Sequence, residues 1–348
     1  MRKVAIITNL RDKSDIPAVF PECESKRNLP AYKVWGEFNI FDRAKGYVIT
    51  LGVTGKDMMS PGNIRKVRKD ILDAVIWAQN YLGVEFVALT SLTSSITDKG
   101  RWLVIQEGVT AAITHGDSYA AGVSLEGLDL IAEAMGTSLE EFTIAIVGAY
   151  GLIGKALTMS LCKRDVSLIL IGHNPTRLQR FISNLPYPRA AKIKASVSLS
   201  DIYPADIIVT ATSHPDSLIK ADYINKDKRV VVYEVSVPPN LSKASYEIIR
   251  QIRPNLLKID GAMVNIPNIE LGVRVPGVRS GTTFSCWAEA IIQCLENDHS
   301  DHIGEIDISY MERILVLGKK YGFLHAPFTS FGKLVDMDFF KKVTITKR

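Results

Sequence analysis

The chain has 348 residues, 47% hydrophobic and 23% charged, which exceeds the roughly 250–300 residues at which one hydrophobic core stops growing. Two lobes are therefore expected, and disordered, collagen-like and one-module chains are excluded. A net charge of +5, from 42 Lys and Arg against 37 Asp and Glu, is too mild for a nucleic-acid binder, and no nucleic-acid partner is expected.

The N-terminus opens on a short apolar run, Val4 to Ile7, broken by Thr8 and the charged Arg11-Asp12-Lys13. That run is too short for a signal peptide, and nowhere are there 18 consecutive apolar residues, so a cytoplasmic chain with no membrane span is expected. Residues 1–40, with Pro17, Pro21 and Pro30, carry no clear signature. Strands are expected at Val4–Thr8, Tyr47–Val53 and Phe86–Thr90. Ser60-Pro61 reads as an N-cap with proline at the first helical position, opening a helix with Ile64, Val67, Ile71, Leu72, Val75 and Tyr81 on one stripe. Its other face shows Arg65, Lys66, Arg68 and Lys69, which suits an acidic partner or is simply solvated. Ser124 to Met135 reads as a helix ended by Gly136.

From Thr143 the pattern alternates, with strands at Thr143–Val147, Ser167–Ile171, Asp206–Thr212 and Arg229–Val235 and helices at Leu152–Lys163 and Pro175–Leu185. Such alternation implies a Rossmann-type doubly wound parallel sheet. Phe284, Trp287, Ala288, Ile291, Ile292 and Leu295 then recur at helical spacing, and Ser309–Tyr321 forms a last helix before Gly322. The expected architecture is α/β: an N-terminal α/β substrate lobe over 1–138, a nucleotide domain over 139–275, and returning C-terminal helices over 276–348.

Residues 144–157 read IAIVGAYGLIGKAL, a buried strand running into a Gly-x-x-Gly-x-x-Gly turn that opens a helix. That context makes a glycine fingerprint credible for a dinucleotide. Gly148 turns the chain, Gly151 admits a pyrophosphate, Gly154 lets helix and strand pack, and Tyr150, Leu152 and Ile153 line the turn beside the helix N-terminus. The second strand ends in Gly172-His173-Asn174 with no carboxylate to hold a ribose hydroxyl. His173, Asn174 and Arg177 suit a 2′-phosphate instead, so NADPH is the expected cofactor. Thr210, Ala211, Thr212 and Ser213, at the end of a later strand, are expected beside the nicotinamide ribose. His214 is an exposed loop histidine by default.

The four cysteines, Cys23, Cys162, Cys286 and Cys294, show no Cys-x-x-Cys spacing and no disulfide framework, so free thiols and no metal are expected. Cys286 and Cys294 on one helix would lie about 12 Å apart. With Thr282 or Thr283 as N-cap, Cys286 falls in the first turn of a helix, where the dipole lowers a thiol pKa and Arg274 and Arg279 would help. A buried structural cysteine is the competing reading. His115 with Asp117 is a histidine–carboxylate pair fit for proton transfer. Asp298, His299, Asp301 and His302 lack metal spacing and read as a solvated loop.

These segments together resemble a known family. Val87 to Ile96, Thr114-His115-Gly116-Asp117-Ser118-Tyr119-Ala120, the Gly148 to Gly154 fingerprint, Asn174 to Gln179, Ala205 to Pro215, Phe284-Ser285-Cys286-Trp287-Ala288-Glu289 and Tyr321-Gly322-Phe323 are similar in order and spacing to the long-chain acyl-carrier-protein reductases of cyanobacteria. The resemblance covers about residues 47 to 328. It implies an NADPH-dependent reduction of an acyl thioester, on acyl carrier protein or coenzyme A, to an aldehyde. Cys286 would be the nucleophile. Ser94, Ser95, Ser118 and the amides near Thr283 to Cys286 are candidate oxyanion donors. Two rival readings stand beside it: a shikimate dehydrogenase-like oxidoreductase of ketones or alcohols, for which no convincing Lys and Asp pair is found, and a non-catalytic nucleotide-binding regulator. Oligomeric state is left open.

Overall fold

The structure is a computed structural model describing residues 1–23, 28–186 and 190–341. The chain divides into two compact units, one of Met1–Gly122, Ser213–Asp216 and Met263–Ala326, the other of Val123–Thr212, Ser217–Ala262 and the stretch from Pro327.

The first unit is built on β1 (Arg2–Leu10), β2 (Tyr32–Ile40), β3 (Ala44–Thr54), β4 (Phe86–Leu89) and β5 (Ala112–Thr114). They lie in the order β2-β3-β1-β4-β5, with β2 antiparallel to β3 and the rest parallel. Alternate residues explain one face: Ala5, Ile7, Ile49, Leu51, Val87 and Leu89 meet Val67, Ile71, Ala74 and Val75 of the helix Ile64–Trp77. Each of the buried Val, Ile and Leu side chains stabilises by about 1.5–3 kcal/mol.

That helix does not start at Pro61. Ser60 to Asn63 closes as a turn, with Asn63 N–H donating to Ser60 O at 2.9 Å, and Asn63 is the N-cap. The helix then widens into a π-helical turn, Ala78–Leu82, ended by Gly83 at φ +70°. The wider turn rotates Tyr81 off the apolar stripe, so it is 76% exposed and stacks on Trp77. The basic face is also less free than the sequence implied: Lys66 pairs with Asp70 at 2.6 Å, Lys69 with Asp73 at 2.5 Å, and Arg68 donates to Ile96 O and covers Trp102.

Met263–Asn265 and Thr282–Phe284 pair antiparallel, and the helix Ser285–Glu296 follows, packing on β1 and β4. The stretch read as a solvated loop, 298–302, runs along β5 instead. His302 N–H donates to Ile113 O, His115 N–H to His302 O, and Asp301 accepts from Ile113 N–H. The open edge of β5 supplies the backbone groups that order it, and the His302 ring stacks on Tyr310 of the helix Ile308–Lys320 with centroids 3.5 Å apart.

The second unit holds six parallel strands: β6 (Thr143–Val147), β7 (Ser167–Ile171), β8 (Lys192–Ser196), β9 (Ile207–Thr210), β10 (Val230–Glu234) and β11 (Leu256–Asp260), in the order β11-β10-β9-β6-β7-β8. This is the doubly wound Rossmann arrangement, and the strand order reverses at β6, between β7 and β9. Ile146 lies level with Leu170 on one side and Val209 on the other. Both sheet faces are covered, which is why β6, β7, β9 and β10 read as continuous apolar runs. The helix Asp117–Ala134 starts seven residues before the expected Ser124. Among the described residues no helix is long and apolar enough to cross a membrane, no acidic, histidine or cysteine cluster suits a metal, and the four cysteines are free.

Candidate active site

Cys286 is the second residue of the helix Ser285–Glu296, whose N-cap is Phe284 with no side-chain cap; Thr282 and Thr283 lie in the preceding strand rather than at the cap. The turn His115-Gly116-Asp117 presses on it. Gly116 has φ +72°, and a Cβ placed there would sit 2.5 Å from Cys286 Cβ. Only glycine passes the chain that close at that backbone angle.

The thiol is not activated at rest. The amides of Cys286 and Trp287 favour the thiolate, as a helix N-terminus should, but burial, then the Asp117 carboxyl, then that of Glu289, outweigh them and push the thiol well above its ordinary range. The strongest charged influences are these carboxyls and not Arg274 or Arg279, both of which are exposed. Glu289 stands one turn along the helix from Cys286. It is fully buried; its Oε1 accepts from Thr114 Oγ1 at 2.5 Å and its Oε2 from Tyr119 N–H at 2.6 Å, with the Ser118 amide also donating. Burial raises it to about 7 against those bonds. Asp117 also rises to about 7, through burial and then Glu289, with Lys99 opposing.

His115 is buried, and its Nδ1 accepts the Asp117 N–H at 3.0 Å, which leaves the ring proton on Nε2. Burial, reinforced by His302, Lys99 and Arg101, lowers it to about 3. The acid–base range near neutrality therefore belongs to the two carboxyls, Asp117 and Glu289, and of these Asp117 is the one whose side chain is partly exposed. Ser94 is buried and Ser95 exposed on the short helix Thr93–Ile96, whose Thr93 hydroxyl bonds back to β1 at Ile7 O; among the described residues no hydrogen bond joins either serine to the cysteine. Sequence reasoning missed Glu289, although its spacing of three from Cys286 puts both on one helix face. It also passed over Ser285, whose hydroxyl is buried without a hydrogen-bond partner among the described residues.

In the second unit the glycine turn sits at the carboxyl end of β6. Gly148 has φ +94°, and its amide and that of Ala149 donate to Ile171 O. A Cβ on Gly148 would fall within 3.0 Å of Ala211 O, and one on Gly154 within 3.0 Å of Gly148 O. Gly151 differs: its nearest neighbour would be Gly148 O at 3.1 Å. It is the N-cap of Leu152–Leu161 with no side-chain cap, so the first-turn amides at Leu152 and Ile153 have no intrahelical acceptor. This open, uncapped turn fits a nucleotide pyrophosphate.

Tyr150 reaches from this turn to the end of β7. Its ring covers Gly172, where a Cβ would strike it, and its hydroxyl bonds His173 Nδ1 at 2.8 Å and accepts from Asn174 N–H at 3.0 Å. The Asn174 side chain caps the next helix by accepting from Arg177 N–H, and His173 and Arg177 are exposed. Thr210 Oγ1 bonds the buried Glu234, and Thr212 bonds Ser236 and Asn240, so their side chains brace the end of β9; Ala211 contributes its carbonyl to the turn. Ser213 and His214 are exposed, and His214 Nδ1 accepts from Asp216 N–H.

Residues 130–255 match the model of the Shikimate / quinate 5-dehydrogenase family. Fold, glycine turn and this match agree on one statement: the domain is the nicotinamide-nucleotide-binding domain of an NAD(P)-dependent oxidoreductase. The chain is 26% identical over 264 residues to the aminotransferase PigE of Serratia sp. strain ATCC 39006, an overlap of 73% of this chain and 29% of that one. It is 24% identical over 282 residues to the long-chain acyl-[acyl-carrier-protein] reductase of Synechococcus elongatus, covering 77% of this chain and 79% of the reductase. Among solved structures it is similar to the 5-ketofructose reductase of Gluconobacter sp. strain CHM43, with 12% identity, a TM-score of 0.37, and coverage of 91% of this chain and 98% of the reductase.

Proposed function

We propose that this protein reduces an acyl thioester to an aldehyde, using NADPH and a thioacyl intermediate on Cys286. The observation that carries the reading is the Cys286 thiol, set at the start of a helix and flanked by Gly116, Asp117 and Glu289. The similarity to the cyanobacterial reductase, which extends over 77% of this chain, supports it. The match to the shikimate and quinate dehydrogenase model falls almost wholly in the nucleotide-binding unit, so it bears on the cofactor and not on the substrate.

The sulfur attacks the thioester carbonyl, the carrier thiol departs, and the acyl group is left on Cys286. The first-turn amides of Ser285–Glu296 and the unpartnered Ser285 hydroxyl are the donors offered to the developing oxyanion. Gly148, Gly151 and the amides of Leu152 and Ile153 would hold the pyrophosphate, with His173, Asn174 and Arg177 at the ribose phosphate and Ala211 to Ser213 nearer the nicotinamide. The bound nicotinamide supplies the hydride that releases the aldehyde. The substrate is carried by acyl carrier protein or coenzyme A. Aldehyde production from a panel of acyl thioesters, lost in Cys286→Ala, tests the reading. Ketone or alcohol turnover indifferent to that substitution would replace it with the dehydrogenase chemistry.

A further inference from the structure

We propose that Asp117 is the proton acceptor for the Cys286 thiol and that Glu289 is the positioning residue that keeps it beside the sulfur. The proposal rests on the reading of Cys286 as nucleophile and adds the group that makes it one. The geometry is a clamp. Glu289 shares the helix of Cys286 and holds the facing turn at both ends, by the Thr114 hydroxyl on one side and the Ser118 and Tyr119 amides on the other. Gly116, between them, lies on Cys286, and the next residue is Asp117, whose amide is fixed by His115 Nδ1. The Asp117 side chain keeps 23% of its surface exposed and has its carboxylate 3.8 Å from that ring nitrogen.

The charged surroundings are limited. Asp117 faces Glu289 and Lys99; the thiol faces Asp117 and Glu289; Glu289 faces Tyr310; His115, held neutral, faces His302, Lys99, Arg101 and Glu305. In the step itself the sulfur–carbon bond forms as the S–H bond breaks, and the proton passes to the Asp117 carboxylate. When the carrier's thiolate leaves it takes that proton, and Asp117 is again a carboxylate. An acceptor that titrates near neutrality is the match for such a shuttle.

Iodoacetamide tests this without any thioester, because the same S–H bond breaks while iodide leaves. Alkylation of the Cys286 peptide is followed by mass spectrometry from about pH 5.5 to about pH 10 in the wild type, Asp117→Asn, Glu289→Ala and Glu289→Gln, each checked for fold by circular dichroism and nucleotide binding. The wild-type rate is expected to rise to a plateau with its midpoint near the Asp117 value of about 7. Asp117→Asn is expected to lose that midpoint and fall at least about tenfold at neutrality, rising instead with hydroxide. Glu289→Ala should behave like Asp117→Asn, while Glu289→Gln, whose amide oxygen and NH2 can still bridge Tyr119 and Thr114, should restore the midpoint. Asp117→Asn alkylating faster than wild type at every pH would overturn the proposal, since Asp117 would then only repel the thiolate. An unchanged midpoint in Glu289→Ala would reduce Glu289 to a structural role. The expected profiles without thioester turnover would keep the acceptor and discard the substrate class, and thioester turnover unaffected by Asp117→Asn would do the reverse.

Discussion

Gly116 lies so close to Cys286 that a Cβ on the glycine would stand 2.5 Å from the cysteine's own Cβ and 2.6 Å from its carbonyl oxygen. Both neighbouring atoms are rigid, one of them backbone, and Gly116 has φ +72°. Gly116→Ala is therefore expected to destabilise the protein by about 2–4 kcal/mol, from the left-handed backbone and the overlap together. Chemical denaturation checks it; a change under about 0.5 kcal/mol would show that the turn relaxes away from the cysteine.

The glycine turn separates two roles that look alike in sequence. Gly154→Ala places a methyl well within 3.0 Å of Gly148 O and should lower stability clearly, whereas Gly151→Ala, with its nearest contact at 3.1 Å, asks the turn to give by only a few tenths of an ångström and should lower the melting temperature far less. The methyl at 151 would instead occupy the space a pyrophosphate needs. NADPH binding, read by nicotinamide fluorescence, is expected to weaken at least about tenfold, or ~1.4 kcal/mol.

His115 should make the protein acid-sensitive. Its folded value of about 3 lies below the ordinary histidine value of 6.5, so between those values the unfolded chain binds the extra proton and stability falls as pH falls. Asp117 and Glu289, raised to about 7, act in the opposite sense: they stabilise fully below the ordinary carboxylate range, and their contribution is lost as pH rises through about 7. His115→Asn keeps an acceptor for the Asp117 amide and removes the titration. Lowering the pH from 6.5 to about 5 should cost the wild type about 2 kcal/mol more than the variant, measured by urea unfolding at each pH. Equal losses would contradict a neutral buried His115.

Lys66 and Lys69, which the sequence offers as a dock for an acidic carrier, are matched by Asp70 and Asp73 one turn along. Paired charges on a solvated helix leave little net field for steering. Lys66→Ala with Lys69→Ala is expected to leave KM for an acyl carrier within about twofold at low salt, where any steering would be strongest. A KM rise that disappears on adding salt would restore this face as a docking site.

The Rossmann alternation and the glycine turn were legible because covered parallel strands leave continuous apolar runs and the turn needs glycine at set positions. The elements that were missed lack such marks. β8 reads Lys-Ile-Lys-Ala-Ser at a sheet edge with its lysines exposed, and β11 hides Lys258 in its centre by pairing it with Asp260. β2 carries a bulge at Trp35, where its register against β3 shifts between Val34 and Gly36. Pro61 looked like a helix start, yet it precedes one by a turn, since Ser60 to Asn63 closes on itself first. At the site, Cys286 could be picked from its place at a helix start, but its raised pKa could not: that depends on carboxyls brought from residues 117 and 289 by tertiary packing. For the same reason the His115 and Asp117 pair was visible while the division of labour within it was not.

The central claim is tested most directly by incubating the protein with NADPH and a graded series of acyl-carrier-protein and coenzyme A thioesters, with aldehyde measured as product and Cys286→Ala run in parallel. The account predicts aldehyde in step with NADPH consumption for the wild type, none for Cys286→Ala, and nucleotide binding retained by both. Aldehyde that persists in Cys286→Ala, or NADPH bound by the wild type and not consumed with any thioester, would contradict it.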